Sequence, residues 1–99
     1  MAVELETITK KKLERPKRFH VILLNDDYTS MEFVVVVLMK FFSKEQEEAY
    51  ALMLKIHIEG EAVCGIYSHD VAQTKVTQVI EFSRKNEQPL MCIIRELSD

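Results

Sequence analysis

The stretch Leu24-Asn25-Asp26-Asp27-Tyr28-Thr29-Ser30-Met31-Glu32-Phe33 decides how this chain begins to fold. The apolar run Phe19–Leu24 comes directly before it and is typical of a strand. Thr29, followed three residues later by Glu32, fits a capping box, which satisfies two orphan amide donors in the first turn of a helix. The sequence therefore predicts a strand that turns sharply into a helix.

Three polar acceptors lie between that strand and the cap. They are Asn25, Asp26 and Asp27. Because they precede the cap, at least two of these side chains are not needed to start the helix and are free to face a cationic ligand. The alternative is a turn rich in Asx residues whose carboxylates are only solvated.

The composition suits a single domain. The chain has 99 residues, of which 47% are hydrophobic, with only two glycines and two prolines. Residues 1–17 lack sustained apolar periodicity and are predicted to form a flexible N-terminal extension, and residues 18–99 to form the core domain.

The charges are distributed unevenly along the chain. Residues 1–20 contain six Lys/Arg and three Glu, whereas the remainder contains seven Lys/Arg and thirteen Asp/Glu. This acidic body argues against nucleic-acid binding.

No segment has the charged, apolar and small-residue order of a signal peptide, and no apolar run reaches the ~18 residues of a membrane span. We therefore expect a soluble, intracellular protein without membrane contact. Cys64 and Cys92, the two cysteines, both lie in apolar runs without metal-ligand spacing. They are predicted to be reduced core residues, and no metal or cofactor is expected.

Hydrophobic spacing predicts the remaining elements. The first helix covers residues 29–42 despite the β-branched run Val34–Val37, for which a strand is the alternative. Ser43 with Gln46 predicts the cap of a second helix that stops at Gly60. A strand at 62–67, a third helix opened by Ser68 and ending near residue 86, and a strand at 90–97 follow. The order β-α-α-β-α-β predicts an α+β sandwich with a three-stranded antiparallel sheet and three helices on one face.

One imidazole interrupts the apolar stripe of the second predicted helix. His57 follows Met53 by four residues, and Ile56 lies beside it. A lone histidine at such a position is more often a core or rim residue than a ligand. It becomes a candidate functional residue if this helix meets the acidic corner at one pocket.

Several motifs, taken together and in order, resemble the ClpS family. The resemblance runs from about residue 19 to residue 97. The motifs are Asn25-Asp26-Asp27-Tyr28-Thr29-x-Met31-Glu32-Phe33-Val34, Phe41-Phe42-Ser43, Leu52-Met53-x-x-Ile56-His57, Cys64-Gly65, Thr74-Lys75-Val76 and Asn86-Glu87-x-Pro89-Leu90.

The resemblance implies a function without catalysis. ClpS proteins are adaptors of the N-degron pathway in bacteria and plastids, and they bind proteins that begin with Leu, Phe, Tyr or Trp. They pass these substrates to a Clp-type AAA+ unfoldase of the ClpA or ClpC type, which works with the ClpP peptidase. For this chain the resemblance implies a cytoplasmic bacterial adaptor, expected to be a monomer.

The resemblance also implies residue roles. Asn25, Asp27 and His57 would hold the free α-amino group, with Asp26 nearby, and Thr29 would touch the substrate backbone. The hydrophobic pocket would be lined by Leu23, Leu24, Met31, Val34, Met53, Ile56 and Leu90. Asp70 and Lys75, at the start of the third helix, would contact the unfoldase.

Two other classes of function remain open from the sequence. An enzyme would use His57 as a general base beside Asp26 or Asp27, or pair it with a cysteine nucleophile, but no exposed nucleophile or Gly-rich loop is evident. An interaction module related to the C-terminal domain of the ribosomal stalk protein would share the α+β fold and bind only a folded partner.

Overall fold

The computed structural model describes residues 17–97. Three strands, β1 (Phe19–Leu24), β2 (Glu61–Tyr67) and β3 (Met91–Glu96), alternate with three helices. The helices are α1 (Met31–Phe42), α2 (Gln46–Glu59) and α3 (His69–Lys85). The predicted order β-α-α-β-α-β and the α+β fold class are confirmed. Of the predicted extension, residues 1–16 lie outside the described part of the chain.

The strands form an antiparallel sheet with β1 in the centre, between β2 and β3. Side chains alternate along β1, so that Val21 and Leu23 point into the core between the sheet and the helices. Helices α2 and α3 pack on the sheet, and α1 packs against both of these helices. Stacking of Phe33 on Phe82, with ring centroids 5.3 Å apart, joins α1 to α3.

The predicted caps of the first two helices are wrong. The N-cap of α1 is Ser30, whose Oγ accepts a hydrogen bond from the Phe33 amide at 3.1 Å, and not Thr29. Ser43 does not start α2 but ends α1 in a left-handed conformation, and α2 begins after Glu45. In the first case the adjacent residues Thr29 and Ser30 compete for the cap. In the second the chain leaves α1 through the left-handed Ser43 before α2 begins.

The local structure disfavours a side chain at two glycine positions. Gly60 ends α2 with a φ of +93°, a conformation that L-residues with a side chain rarely adopt. Gly65 lies beside a bulge of β2, and a Cβ atom there would overlap the Tyr67 ring. Among residues 17–97, no helix is long and apolar enough to cross a membrane.

Candidate functional site

The loop between β1 and α1 is built around the Asp26 carboxylate. Its Oδ1 accepts hydrogen bonds from the Tyr28 amide at 2.8 Å and the Thr29 amide at 2.7 Å, and its Oδ2 accepts from the Thr29 hydroxyl at 2.6 Å. Partial burial opposes the charge, but these bonds and the positive charge of Arg84 outweigh it, so that the pKa of Asp26 lies below its usual value. Asp26 therefore remains a carboxylate and fixes the loop.

This use of Asp26 decides which acceptors remain for a ligand. Three of its four lone-pair positions are occupied within the loop, while the neighbouring Asn25 and Asp27 are exposed. The Thr29 hydroxyl donates to Asp26 and keeps its own oxygen as an acceptor. The loop thus separates one structural carboxylate from the groups that face outward.

A backbone hydrogen bond brings the end of α2 to this loop. The Asn25 amide donates to the Gly60 carbonyl at 2.8 Å. Because Gly60 directly follows the last turn of α2, this bond brings the turn that carries His57 to the acidic loop. The left-handed turn at Gly60 is therefore part of how the site is assembled.

The acidic loop, the start of α1 and the end of α2 enclose a cavity of about 220 Å³. Its polar rim is formed by Asn25, Asp26, Asp27, Thr29 and His57, and its apolar wall by Met31, Val34, Met53 and Ile56. Nine residues singled out in the sequence therefore line one cavity, with hydrogen-bond acceptors on one side and aliphatic side chains on the other. Such a cavity suits a ligand with a small cationic head and an apolar body.

Three predicted pocket residues do not line this cavity. Leu23 and Leu90 are almost fully buried, in the same core cluster as the lining residues Val34, Met53 and Ile56. Leu24 belongs to the opposite face of the sheet from Leu23, because side chains alternate along β1. The structure therefore gives no support for Leu24 as a lining residue.

Sequence reasoning missed a set of hydrogen bonds that connects the end of α3 and the residues after it to the loop before α1. We call this set the bridge. The Gln88 side-chain oxygen accepts a hydrogen bond from the Ser30 amide at 3.1 Å. Arg84 in turn donates to the carbonyls of Gln88 and Leu90 at 2.8 and 3.0 Å. The bond between Ser30 and Gln88 joins residues 58 positions apart. The Gln88-Pro89 break was the local signal in the sequence for this loop.

The residues considered for unfoldase contact lie together on α3, away from the cavity. The Asp70 side chain is fully exposed. The Lys75 ammonium lies 5.8 Å from the centre of the Tyr67 ring, which holds it near the sheet. A larger and more open depression of about 700 Å³ follows this part of α3 beside β3, but its lining lacks the convergent acceptors of the smaller cavity.

The cysteines do not provide a nucleophile for a catalytic site. Both are free and buried, and burial raises the pKa of Cys64 to about 11 and that of Cys92 to about 12. They remain thiols at neutral pH, and the thiolate is the nucleophilic form. No group of three or more potential metal ligands lies within residues 17–97.

Comparison with known proteins assigns the chain to a family. The model of the family described as "ATP-dependent Clp protease adaptor protein ClpS" matches residues 14–93. The chain belongs to the ClpS family. The family is one of adaptor proteins of the Clp protease.

Two relatives and one solved structure illustrate the similarity. The ClpS adapter protein of Nitrosospira multiformis is 54% identical over 87 residues, which cover 88% of this chain and 85% of that protein. ClpS 1 of Rhizobium meliloti is 48% identical and covers 91% and 77%, respectively. Agrobacterium tumefaciens ClpS2, solved bound to L-phenylalaninamide, aligns with a TM-score of 0.81 at 36% identity over 84% of this chain and all of that one.

Proposed function

We propose that this ClpS-family protein binds the first residue of N-degron substrates in the cavity between the acidic loop and α2. The observation that carries this proposal is the division of the cavity into a rim of acceptors and an apolar wall. A protein N-terminus that begins with Leu, Phe, Tyr or Trp has matching chemistry: an ammonium group next to a bulky apolar side chain. L-phenylalaninamide, the ligand of the similar ClpS2 structure, combines the same two groups.

In this proposal Asn25, Asp27 and His57 accept the three ammonium protons. An α-amino group with a pKa of roughly 7.7 to 8.0 is mostly cationic at neutral pH, so amide, carboxylate and neutral imidazole acceptors suit it. Thr29 accepts from the peptide backbone through its free lone pairs. Asp26 acts on the substrate indirectly, since its oxygens hold the loop.

Binding requires both halves of the ligand. Hydrogen bonds to a charged group contribute about 1.5–3 kcal/mol each, and burial of a Leu or Phe side chain contributes about as much again. After the cost of association, the sum corresponds to micromolar or submicromolar affinity. An acetylated terminus loses the charge, and a polar first residue leaves the apolar wall exposed to water.

The second half of the proposed function is delivery. We propose that this protein, as a monomer in the bacterial cytoplasm, contacts a Clp-type AAA+ unfoldase through the α3 surface around Asp70 and Lys75, and that ClpP degrades the substrate. Support comes from the family assignment and from the full exposure of the Asp70 side chain. The two functions then use separate surfaces.

Fluorescence anisotropy tests the binding half. Labelled peptides that differ only in the first residue are titrated with the protein, together with an acetylated Phe peptide. We expect Leu, Phe, Tyr and Trp peptides to bind, and Ala, Asp and acetylated Phe peptides to bind at least tenfold more weakly. Equal binding of all peptides, or none, would overturn the proposal and favour an interaction module of the ribosomal stalk type.

A further inference from the structure

A second depression lies along α1 and α2 beyond the cavity. On α1, Met31 lines the cavity and Val35 follows one turn later on the same face. Met39 continues this stripe by four more residues and is 42% exposed. The apolar wall of the cavity thus extends along the outside of α1.

A matching stripe lies on α2. His57 and Met53 line the cavity, and Tyr50 lies one turn before Met53, 55% exposed. Val35 and Tyr50 face each other across a second depression of about 560 Å³, whose other lining residues are Glu45, Gln46 and Glu47. The two depressions therefore follow one another along the same pair of helices, and together they are called the groove below.

The spacing of this groove fits an extended peptide. Met31 and Val35 are four helical residues apart, a rise of about 6 Å, while two residues of an extended peptide span about 7 Å. Alternate side chains of an extended chain point in the same direction. If the first side chain enters the cavity, the second points away and the third points back towards Val35 and Tyr50.

The chemistry of the second depression favours a long cationic side chain. Val35 and the Tyr50 ring offer apolar and aromatic surface to an alkyl stem and a guanidinium, which stacks on aromatic faces. Glu45 and Glu47 supply negative charge, and neither forms a salt bridge within residues 17–97. The neighbouring Lys44 pairs with neither of them.

We propose that the Val35–Tyr50 depression is a subsite for the third residue of the substrate and that it prefers arginine. This inference rests on the proposed binding of the first residue. It adds a second determinant of substrate choice, which ranks substrates that share the same first residue.

The test uses anisotropy with peptides that begin Phe-Gly-X, where X is Arg, Leu, Gly or Glu. We expect Arg to bind about three- to tenfold more tightly than Gly, Leu to fall between them, and Glu to bind most weakly. Tyr50→Ala should remove most of the difference between Arg and Gly while leaving the preference for Phe over Ala at the first position intact. A double variant, Glu45→Gln with Glu47→Gln, should reduce the Arg preference and leave Leu unchanged.

Ile58→Ala is the matched control, since Ile58 lies on α2, is 77% exposed and lines neither depression. It should leave every preference unchanged. Insensitivity of the wild-type protein to X would overturn the subsite while leaving first-residue binding intact, and so would an unchanged Arg preference in Tyr50→Ala. Failure of all Phe peptides to bind would overturn both proposals.

Discussion

Two strand-to-helix corners of this molecule each end in a serine N-cap but form different surfaces. Between β1 and α1 lie the six residues Asn25–Ser30, whereas only Ser68 separates β2 from α3. The serine before each helix is the N-cap, but only Ser30 accepts a hydrogen bond through its side chain. The first corner is therefore a built loop, and the second is a direct continuation of the chain.

The acidic residues of the two corners differ in the same way. Asp26 is bonded inside its loop, which leaves Asp27 at the rim of an enclosed cavity. Asp70 stands fully exposed on the first turn of its helix, beside an open surface. The Asp26 carboxylate therefore organises the backbone of its loop, whereas the Asp70 carboxylate remains at the surface.

Single substitutions in the two corners should give the largest change in affinity and should separate peptide binding from unfoldase contact. Asp27→Ala removes a charged acceptor from the cavity, so peptide affinity should fall about 10- to 150-fold while unfoldase contact is retained. Asp70→Ala and Lys75→Ala should keep peptide affinity and slow the degradation of an N-degron protein by a Clp unfoldase with ClpP. Anisotropy measures peptide binding, a direct assay of the variants with the unfoldase measures that contact, and reconstituted degradation requires both. Loss of unfoldase binding in Asp27→Ala, or of peptide binding in Asp70→Ala or Lys75→Ala, would show that the corners are not independent.

A narrower change tests the wall of the cavity next to the first corner. Met31 is 46% exposed at its mouth, where it should crowd the Cβ branch of a bound residue. We expect the wild-type protein to reject Ile and Val termini, and Met31→Ala to bind them roughly tenfold more tightly. The measurement is a comparison of Leu, Ile and Val peptides by anisotropy. Equal affinity of the wild-type protein for Ile and Leu would contradict this role.

Loss of the hydrogen bond between the Ser30 amide and Gln88, which follows α3, should have a smaller effect on peptide affinity. Gln88→Leu removes the acceptor for the Ser30 amide, and we expect peptide affinity to fall about threefold, as for loss of one exposed neutral hydrogen bond. Gln88→Glu keeps a side-chain oxygen at this position and should restore binding. Gln78→Leu, at an exposed glutamine on α3, is the control. If Gln88→Glu binds no better than Gln88→Leu, the hydrogen bond is not what positions the loop.

The sequence predicted the fold well because its signals were local and repeated. Helical spacing in α1 outweighed the β-branched run Val34–Val37, and the C-terminal stop at Gly60 was confirmed by its left-handed conformation. The cap at Thr29 was wrong because the adjacent Ser30 has equivalent capping chemistry, and the cap at Ser43 was wrong because this residue ends α1 in a left-handed conformation instead.

The site was predictable to the extent that its residues carry chemistry in their own side chains. His57 and the acidic loop were found by residue type and by resemblance. The structural role of Asp26 was not predictable, because Asn25, Asp26 and Asp27 are consecutive acceptors and only the backbone geometry shows which one is bonded inside the loop. The bridge through Gln88 depends on a contact between distant residues that leaves no periodic pattern.

The last prediction concerns stability instead of binding, through the pH dependence of the first corner. The pKa of Asp26 is lowered in the folded protein, so ionisation of this group stabilises the fold at neutral pH, and that stabilisation is lost as the pH falls through the folded-state pKa, below about 4. Asp26→Asn keeps one acceptor oxygen but no charge, and it should lower the free energy of unfolding by about 1 kcal/mol at pH 7. Denaturant unfolding of both proteins from pH 7 to pH 3 should show the difference shrinking towards acid, because the wild-type carboxylate becomes protonated. Asp70→Asn, at the fully exposed carboxylate of the second corner, should follow the wild-type protein throughout. A difference between the wild-type protein and Asp26→Asn that stays constant down to pH 3 would show that the charge of Asp26 does not hold the loop.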